Sequence, residues 1–173
     1  MLIIFTGNGK GKTTAALGLA LRALGNGDAV LMVQFIKGPW KSGEHESAKK
    51  LEPSFKIVKK GKGFVGIGDD TLPREEHVKV AKDGLKYAEK EALTKKWNVI
   101  ILDEIWNALS LGLLSSEAVS DSISVILPQV KHIIMTGRDC PKEFIDKADL
   151  VTEMKEVKHP FAKGLVGQKG LEY

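Results

Sequence analysis

The sequence predicts an α/β fold, a mainly parallel sheet with helices on both faces, from two observations. Short continuous apolar runs alternate with helical patterns along the whole chain. Such runs suit strands buried on both faces, as in parallel sheets. The first run, Leu2-Ile3-Ile4-Phe5, feeds directly into a glycine-rich turn and then a helix.

The elements follow in order. Residues 13–24 are apolar almost all round (Ala15, Ala16, Leu17, Leu19, Ala20, Leu21, Leu24), which predicts a helix buried against the sheet. Gly25-Asn26-Gly27 ends it. Residues 29–35 are a second strand and 55–58 a weaker third. Pro73 opens a long helix in which Val78, Ala81, Leu85, Ala88 and Ala92 form one apolar stripe. Residues 99–102 read as a buried strand, Ser115 or Ser116 caps a helix running through Ile126, and 132–135 is the next strand. Pro141 lies in the first turn of a short helix, and 150–154 is the last strand. In parallel sheets ligands bind beyond the carboxyl ends of the strands. That rule gathers four loops at one site: 6–13, 34–44, 103–107 and 136–139.

Composition bounds the rest. The 173 residues, 43% hydrophobic and 28% charged, predict one domain over 1–173, with the Gly- and Lys-rich tail 156–173 packing near the site. No apolar run reaches the length of a membrane span. The single Cys140 excludes an intrachain disulfide and fits a reducing, cytoplasmic setting. The net charge of +4 comes from scattered lysines. Arg22, Arg74 and Arg138 are the only arginines, which argues against a nucleic-acid groove and allows an anionic small molecule.

Gly7-Asn8-Gly9-Lys10-Gly11-Lys12-Thr13-Thr14 carries the clearest chemistry. Between a strand and a helix, the glycines let backbone N–H groups converge on phosphate. Lys12 supplies a point charge, Thr13 a hydroxyl for Mg²⁺, and the helix its positive end. The strict Walker pattern asks for Gly where this chain has Thr6. Leu102-Asp103-Glu104 closes a strand in the manner of a Walker B element, its carboxylates holding Mg²⁺ directly or through water. Arg138, after Thr136-Gly137, offers a donor fork to phosphoryl oxygens. The four histidines show no metal spacing, no nucleophile elbow appears, and Cys140 reads as an ordinary loop residue. The fold class narrows to the P-loop NTPase (RecA-like) type.

With these motifs the chain resembles the ATP:corrinoid adenosyltransferases of the CobA/CobO/BtuR type. The matching pieces are residues 5–16, Val33-Gln34-Phe35-Ile36-Lys37-Gly38 with Trp40, Gly43 and Glu44, then Gly63-Phe64 and Leu102-Asp103-Glu104. Thr136-Gly137-Arg138, Glu153-Met154, Lys158-His159-Pro160-Phe161 and Gln168-Lys169-Gly170-Leu171-Glu172-Tyr173 complete the set. The family's own loop also carries Thr at the first Walker position.

The resemblance implies that a corrinoid reduced to cobalt(I) attacks the 5′-carbon of ATP and expels triphosphate. ATP would lie along residues 7–14 in reversed sense, with Gly9 to Thr13 amides, Lys12 and Lys10 on the phosphates. Mg²⁺ would sit on Thr13, Asp103 and Glu104, Arg138 would assist, and Phe64 would stand beside the corrinoid. The resemblance also implies a homodimer and a flavoprotein reductant. The chain departs from the family at Gly66, where Gly-Phe-x-Trp is usual, and it begins at its first strand without the extension that often covers the corrinoid. A generic P-loop ATPase or kinase, and a non-catalytic corrinoid or nucleotide carrier, remain alternatives on the motifs alone.

Overall fold

A computed structural model describes residues 1–63, 65–66, 70–160, 164 and 168–171. Six strands form one sheet: β1 (Leu2–Thr6), β2 (Val30–Gln34), β3 (Phe55–Lys59), β4 (Val99–Asp103), β5 (His132–Thr136) and β6 (Leu150–Glu153). Their spatial order is β3-β2-β4-β5-β1-β6 and every pairing is parallel. All carboxyl ends therefore lie along one edge, and β5 stands between the strand that feeds the glycine loop and the strand that ends in Asp103. The predicted parallel α/β sheet is what forms.

Among the described residues six α-helices surround the sheet: α1 (Lys12–Gly25), α2 (Gly43–Lys50), α3 (Arg74–Leu93), α4 (Ile105–Ser110), α5 (Ser116–Ile126) and α6 (Lys142–Ile145). Successive strand residues point to opposite faces, and the core divides accordingly. Leu2, Ile4, Leu31, Val33, Ile100, Leu102, Ile133 and Met135 pack beneath α3, α4 and α5. Ile3, Phe5, Val30, Met32, Val99, Ile101 and Ile134 meet Ala16 and Ala20 of α1 and Ala48 of α2. Alanine at the contact positions of α1 and α3 lets both helix backbones lie close to the strands. Among the described residues no helix is long and apolar enough to cross a membrane.

Several local expectations change. Helix α1 is fully buried only at Ala16 and Ala20, while Leu21 is 66% exposed; Leu17 and Leu24, partly buried against the same core, also border a cavity. Helix α2 has no counterpart among the elements the sequence predicts, because GEHESAKK is polar throughout and buries only Ala48. The loop at 103–107 is already helical from Ile105. Pro141 is the N-cap residue of α6, just before its first turn. The cap of α5 falls on Ser115, whose Oγ accepts the Ala118 N–H.

The stripe of α3 holds, with Gly84 added to it. A Cβ at Gly84 would stand 2.9 Å from the Phe35 ring and 3.0 Å from Lys60 Cβ. Alanine normally favours a helix interior over glycine by about 1 kcal/mol, but overpacking costs about 1–3 kcal/mol. Gly84→Ala is accordingly expected to lower stability by about 1 kcal/mol, read as a lower urea midpoint at unchanged slope. A raised midpoint would show that the Phe35 ring yields.

Candidate active site

Four strands end on a buried polar residue: Thr6 on β1, Gln34 on β2, Asp103 on β4 and Thr136 on β5. Burying a charge is costly unless donors surround it, and Asp103 is enclosed by protein. Thr13 Oγ1 donates to its Oδ1 at 2.8 Å and Thr136 Oγ1 to the same oxygen at 2.7 Å. Gln34 Nε2 donates to Oδ2 at 3.1 Å. The Thr136 hydroxyl in turn accepts the Glu104 N–H at 2.9 Å. One side chain on β5 thus sets both acidic residues, and Glu104 is held at a left-handed φ of 61°. Burial pushes the Asp103 carboxyl above its ordinary range against the pull of its three donors. Burial, and then the Asp103 charge, push Glu104 up to about 7.

The glycine loop is fastened on its outer side by the segment that ends β6. The Gly9 N–H donates to Met154 O at 2.6 Å, so of the expected cradle this amide already has a partner within the protein. A Cβ on Gly7 or Gly9 would come within 2.6 or 2.7 Å of the same carbonyl. Lys12 Nζ donates to Gly7 O at 2.7 Å and Gly9 O at 2.6 Å; burial lowers its pKa, with Arg138 adding to the effect. Gly11, at φ 112°, is the N-cap of α1 and supplies no capping side chain. The first-turn amides of α1 are therefore placed to meet an anion. Thr6 also has a local partner, since its Oγ1 accepts the Cys140 N–H at 3.2 Å and ties β1 to the loop after β5.

These groups border a cavity of about 970 Å³. Its polar half includes Lys10, Lys12, Thr13, Thr14, Lys37, Glu44, Glu104 and Arg138; its apolar half runs down α1 over Leu17, Leu21 and Leu24 to Leu51 and Phe55. All four anticipated loops contribute. Of the candidate residues, Lys10, Gly11, Lys12, Thr13, Thr14, Glu104 and Arg138 line the cavity. Asp103 lies behind Thr13, while Gly7 and Asn8 are not in the lining and Gly7 instead holds Lys12. Phe64 and Phe161 lie outside the described residues. The tail meets the loop where Leu171 O accepts Lys10 Nζ at 3.0 Å. Cys140 is pushed up to about 12 by burial, so no thiolate nucleophile is present there at neutral pH.

Three residues make contacts in the site for which the sequence reading gives no role, although Gln34 lies in the matched run 33–38. Asn107 Oδ1 accepts the Arg138 N–H at 3.0 Å and steadies that loop. Gln34 holds Asp103, and His45 holds Gln34: His45 Nε2 lies 2.8 Å from Gln34 Oε1. The signal for Gln34 is a glutamine inside the otherwise apolar run Val30-Leu31-Met32-Val33-Gln34-Phe35.

Comparison with known proteins agrees with this geometry. The family model described as ATP:corrinoid adenosyltransferase BtuR/CobO/CobP matches residues 1–173. The corrinoid adenosyltransferase of Escherichia coli (strain K12) is 35% identical over 173 residues, covering 100% of this chain and 85% of that protein. The corrinoid adenosyltransferase CobA of Salmonella typhimurium is 34% identical over the same shares. The corrinoid adenosyltransferase of Pseudomonas aeruginosa is 35% identical, over 100% of this chain and 83% of its own length.

The Glu104 environment has a measurable consequence. Its pKa in the fold, about 7, exceeds its ordinary 4.5, so between those values the folded chain binds a proton that the unfolded chain does not. Stability therefore falls as pH rises through that window. Glu104→Gln removes the penalty: the apoprotein is expected to gain up to about 3 kcal/mol more at pH 8 than at pH 5, measured by urea unfolding. An equal effect at both pH values would contradict the burial argument.

Proposed function

The chain belongs to the ATP:corrinoid adenosyltransferase family, and we propose that its glycine loop grips the triphosphate of ATP as a leaving group. The activity is transfer of the 5′-deoxyadenosyl group of ATP to the cobalt(I) of a corrinoid, in adenosylcobalamin synthesis. The cobalt(I) electron pair forms the cobalt–carbon bond, the bond from C5′ to oxygen breaks, and its electrons leave on triphosphate. The nucleophile belongs to the substrate, so the protein's part is to orient ATP and stabilise charge on the leaving group.

The observation that carries this reading is the loop's readiness. Lys12 is already drawn over the loop by two carbonyls, and Thr13 is already held by Asp103. In our reading the amides of residues 11–14, Lys12 and Lys10 receive the phosphates, and Arg138 assists from the rim.

A magnesium ion fits the donor set. Among the described residues there is no cluster of three His, Cys, Asp or Glu side chains to cage a metal, but Mg²⁺ beside phosphates needs only one or two protein oxygens and water. The Thr13 hydroxyl and the Glu104 carboxylate would hold it, and it would neutralise charge developing on the triphosphate. Because the Thr13 proton is committed to Asp103, its lone pairs face the cation, and Asp103 acts as the orienting partner. This moves Asp103 from the ligand set to the group behind it.

The remaining parts follow from the family resemblance. Phe64 serves the corrinoid, and its neighbour in sequence, Val65, lines the cavity. The chain acts as one domain with its tail across the loop, as a cytoplasmic homodimer supplied with electrons by a flavoprotein.

The test is incubation with ATP, Mg²⁺ and chemically reduced corrinoid. A light-sensitive alkylcorrinoid spectrum and stoichiometric triphosphate are expected, and Lys12→Ala should cut the rate by at least about 100-fold. Formation of ADP without alkylcorrinoid would overturn the reading in favour of terminal phosphate cleavage.

A further inference from the structure

We propose that His45 is a positioning residue for the metal–phosphate site: it sets the sense of a hydrogen-bond chain that runs from α2 through Gln34 to Asp103. The inference rests on the reading that Thr13 and Asp103 serve that site.

The chain of bonds fixes its own polarity. An ionised carboxylate only accepts, so the group of Gln34 facing Asp103 Oδ2, 3.1 Å away, is its NH₂. The amide is planar, and its Oε1 faces the other way, 2.8 Å from His45 Nε2. An amide oxygen only accepts, so Nε2 carries hydrogen. The other ring nitrogen, Nδ1, meets Ser42 Oγ at 3.0 Å. Ser42 is the N-cap of α2, and His45 lies in that helix's first turn. The ring is thereby pinned between the start of α2 and the end of β2.

Gln34 is fully buried and has no water to replace a lost partner. Without a donor at position 45, its oxygen is orphaned and the amide has no preferred sense. The flipped amide would turn its oxygen toward the Asp103 carboxylate. Asp103 would then lose one of its three donors, and the carboxylate that accepts from Thr13 would be held through Oδ1 alone. The groups around the ring favour a neutral, directional donor. Burial, Lys59 on β3 and Lys37 on the β2–α2 loop lower its pKa, against Glu44 on α2.

Outer partners of metal ligands typically contribute about 10–100-fold to metal affinity, which gives the experiment its scale. ATP binding is titrated calorimetrically, with Mg²⁺ and with EDTA, on the wild type, His45→Met and His45→Gln. Methionine keeps bulk without a donor; glutamine keeps an N–H. His45→Met is expected to bind ATP about 10-fold more weakly with Mg²⁺ and within about twofold of wild type in EDTA, with His45→Gln restoring most of the loss. Three results overturn the inference: no loss in His45→Met, an equal loss in both buffers, or a His45→Gln as weak as His45→Met. If His45→Met fails to fold, His45→Gln against His45→Glu makes the same comparison with donor and acceptor exchanged. Wild-type binding that ignores Mg²⁺ overturns the site reading itself, and this inference with it.

Discussion

The structure turns on one buried carboxylate. Asp103 ends a strand that is enclosed on both faces, and it cannot be ionised there without donors. Those donors come from α1, β2 and β5, at positions 90, 69 and 33 residues away along the chain. The strand order makes this possible. With β5 inserted between β1 and β4, Thr136 sits where it can donate to Asp103 and also accept from the Glu104 backbone. Shift any one of these strands and the charge loses its solvation. The same burial lifts Glu104, so the two acids differ in character: Asp103 is saturated with donors, while Glu104, raised toward neutrality, faces the cavity.

Helix α1 answers to two surfaces, which explains its unusual composition. Ala16 and Ala20 are small enough to bring the helix axis near the sheet, which aims its N-terminus at the strand edge. Leu17, Leu21 and Leu24 line the apolar part of the cavity. A helix packed only on a sheet would place polar residues there. The apolar wall continues to Leu51 and Phe55, so the cavity joins a charged end suited to phosphate to an apolar end suited to larger, less polar surfaces. A reaction that brings a nucleotide together with a macrocycle asks for both in one space.

How much of this is legible in the sequence depends on the kind of signal. Continuous apolar strands, the cap at Ser115 and the stripe of α3 are local patterns and can be read directly. So can the meeting of Lys12, Thr13, Asp103 and Glu104 at one edge of the sheet, because a strand–loop–helix unit and an acid-ended parallel strand both place their last residues there. Helix α2 cannot, since a helix that buries one alanine leaves no periodicity. The roles of Gln34 and His45 are hidden for a different reason. Each matters through a partner far along the chain or behind another side chain, and pairing across that distance leaves no mark at either position alone. The burial of α1 is overestimated because an apolar surface facing a cavity has the same composition as one facing a core.

Thr6 shows why the departure at the first Walker position is no defect. Glycine there would leave the Cys140 amide without its acceptor and loosen the loop that carries Arg138. The threonine instead ties the end of β1 to the β5–α6 connection, while Met154 pins Gly9 from beyond β6 and Asp103 holds Thr13 from β4. A loop restrained from three strands needs little reorganisation when charge develops on it, and such preorganisation is the main lever an enzyme has over a leaving group. Hydrolysis would further require a positioned water and a group to activate it. Adenosyl transfer to a reduced metal requires neither, because the nucleophile arrives with its electron pair. Fixed donors on one side of the cavity and an apolar wall on the other suit that chemistry.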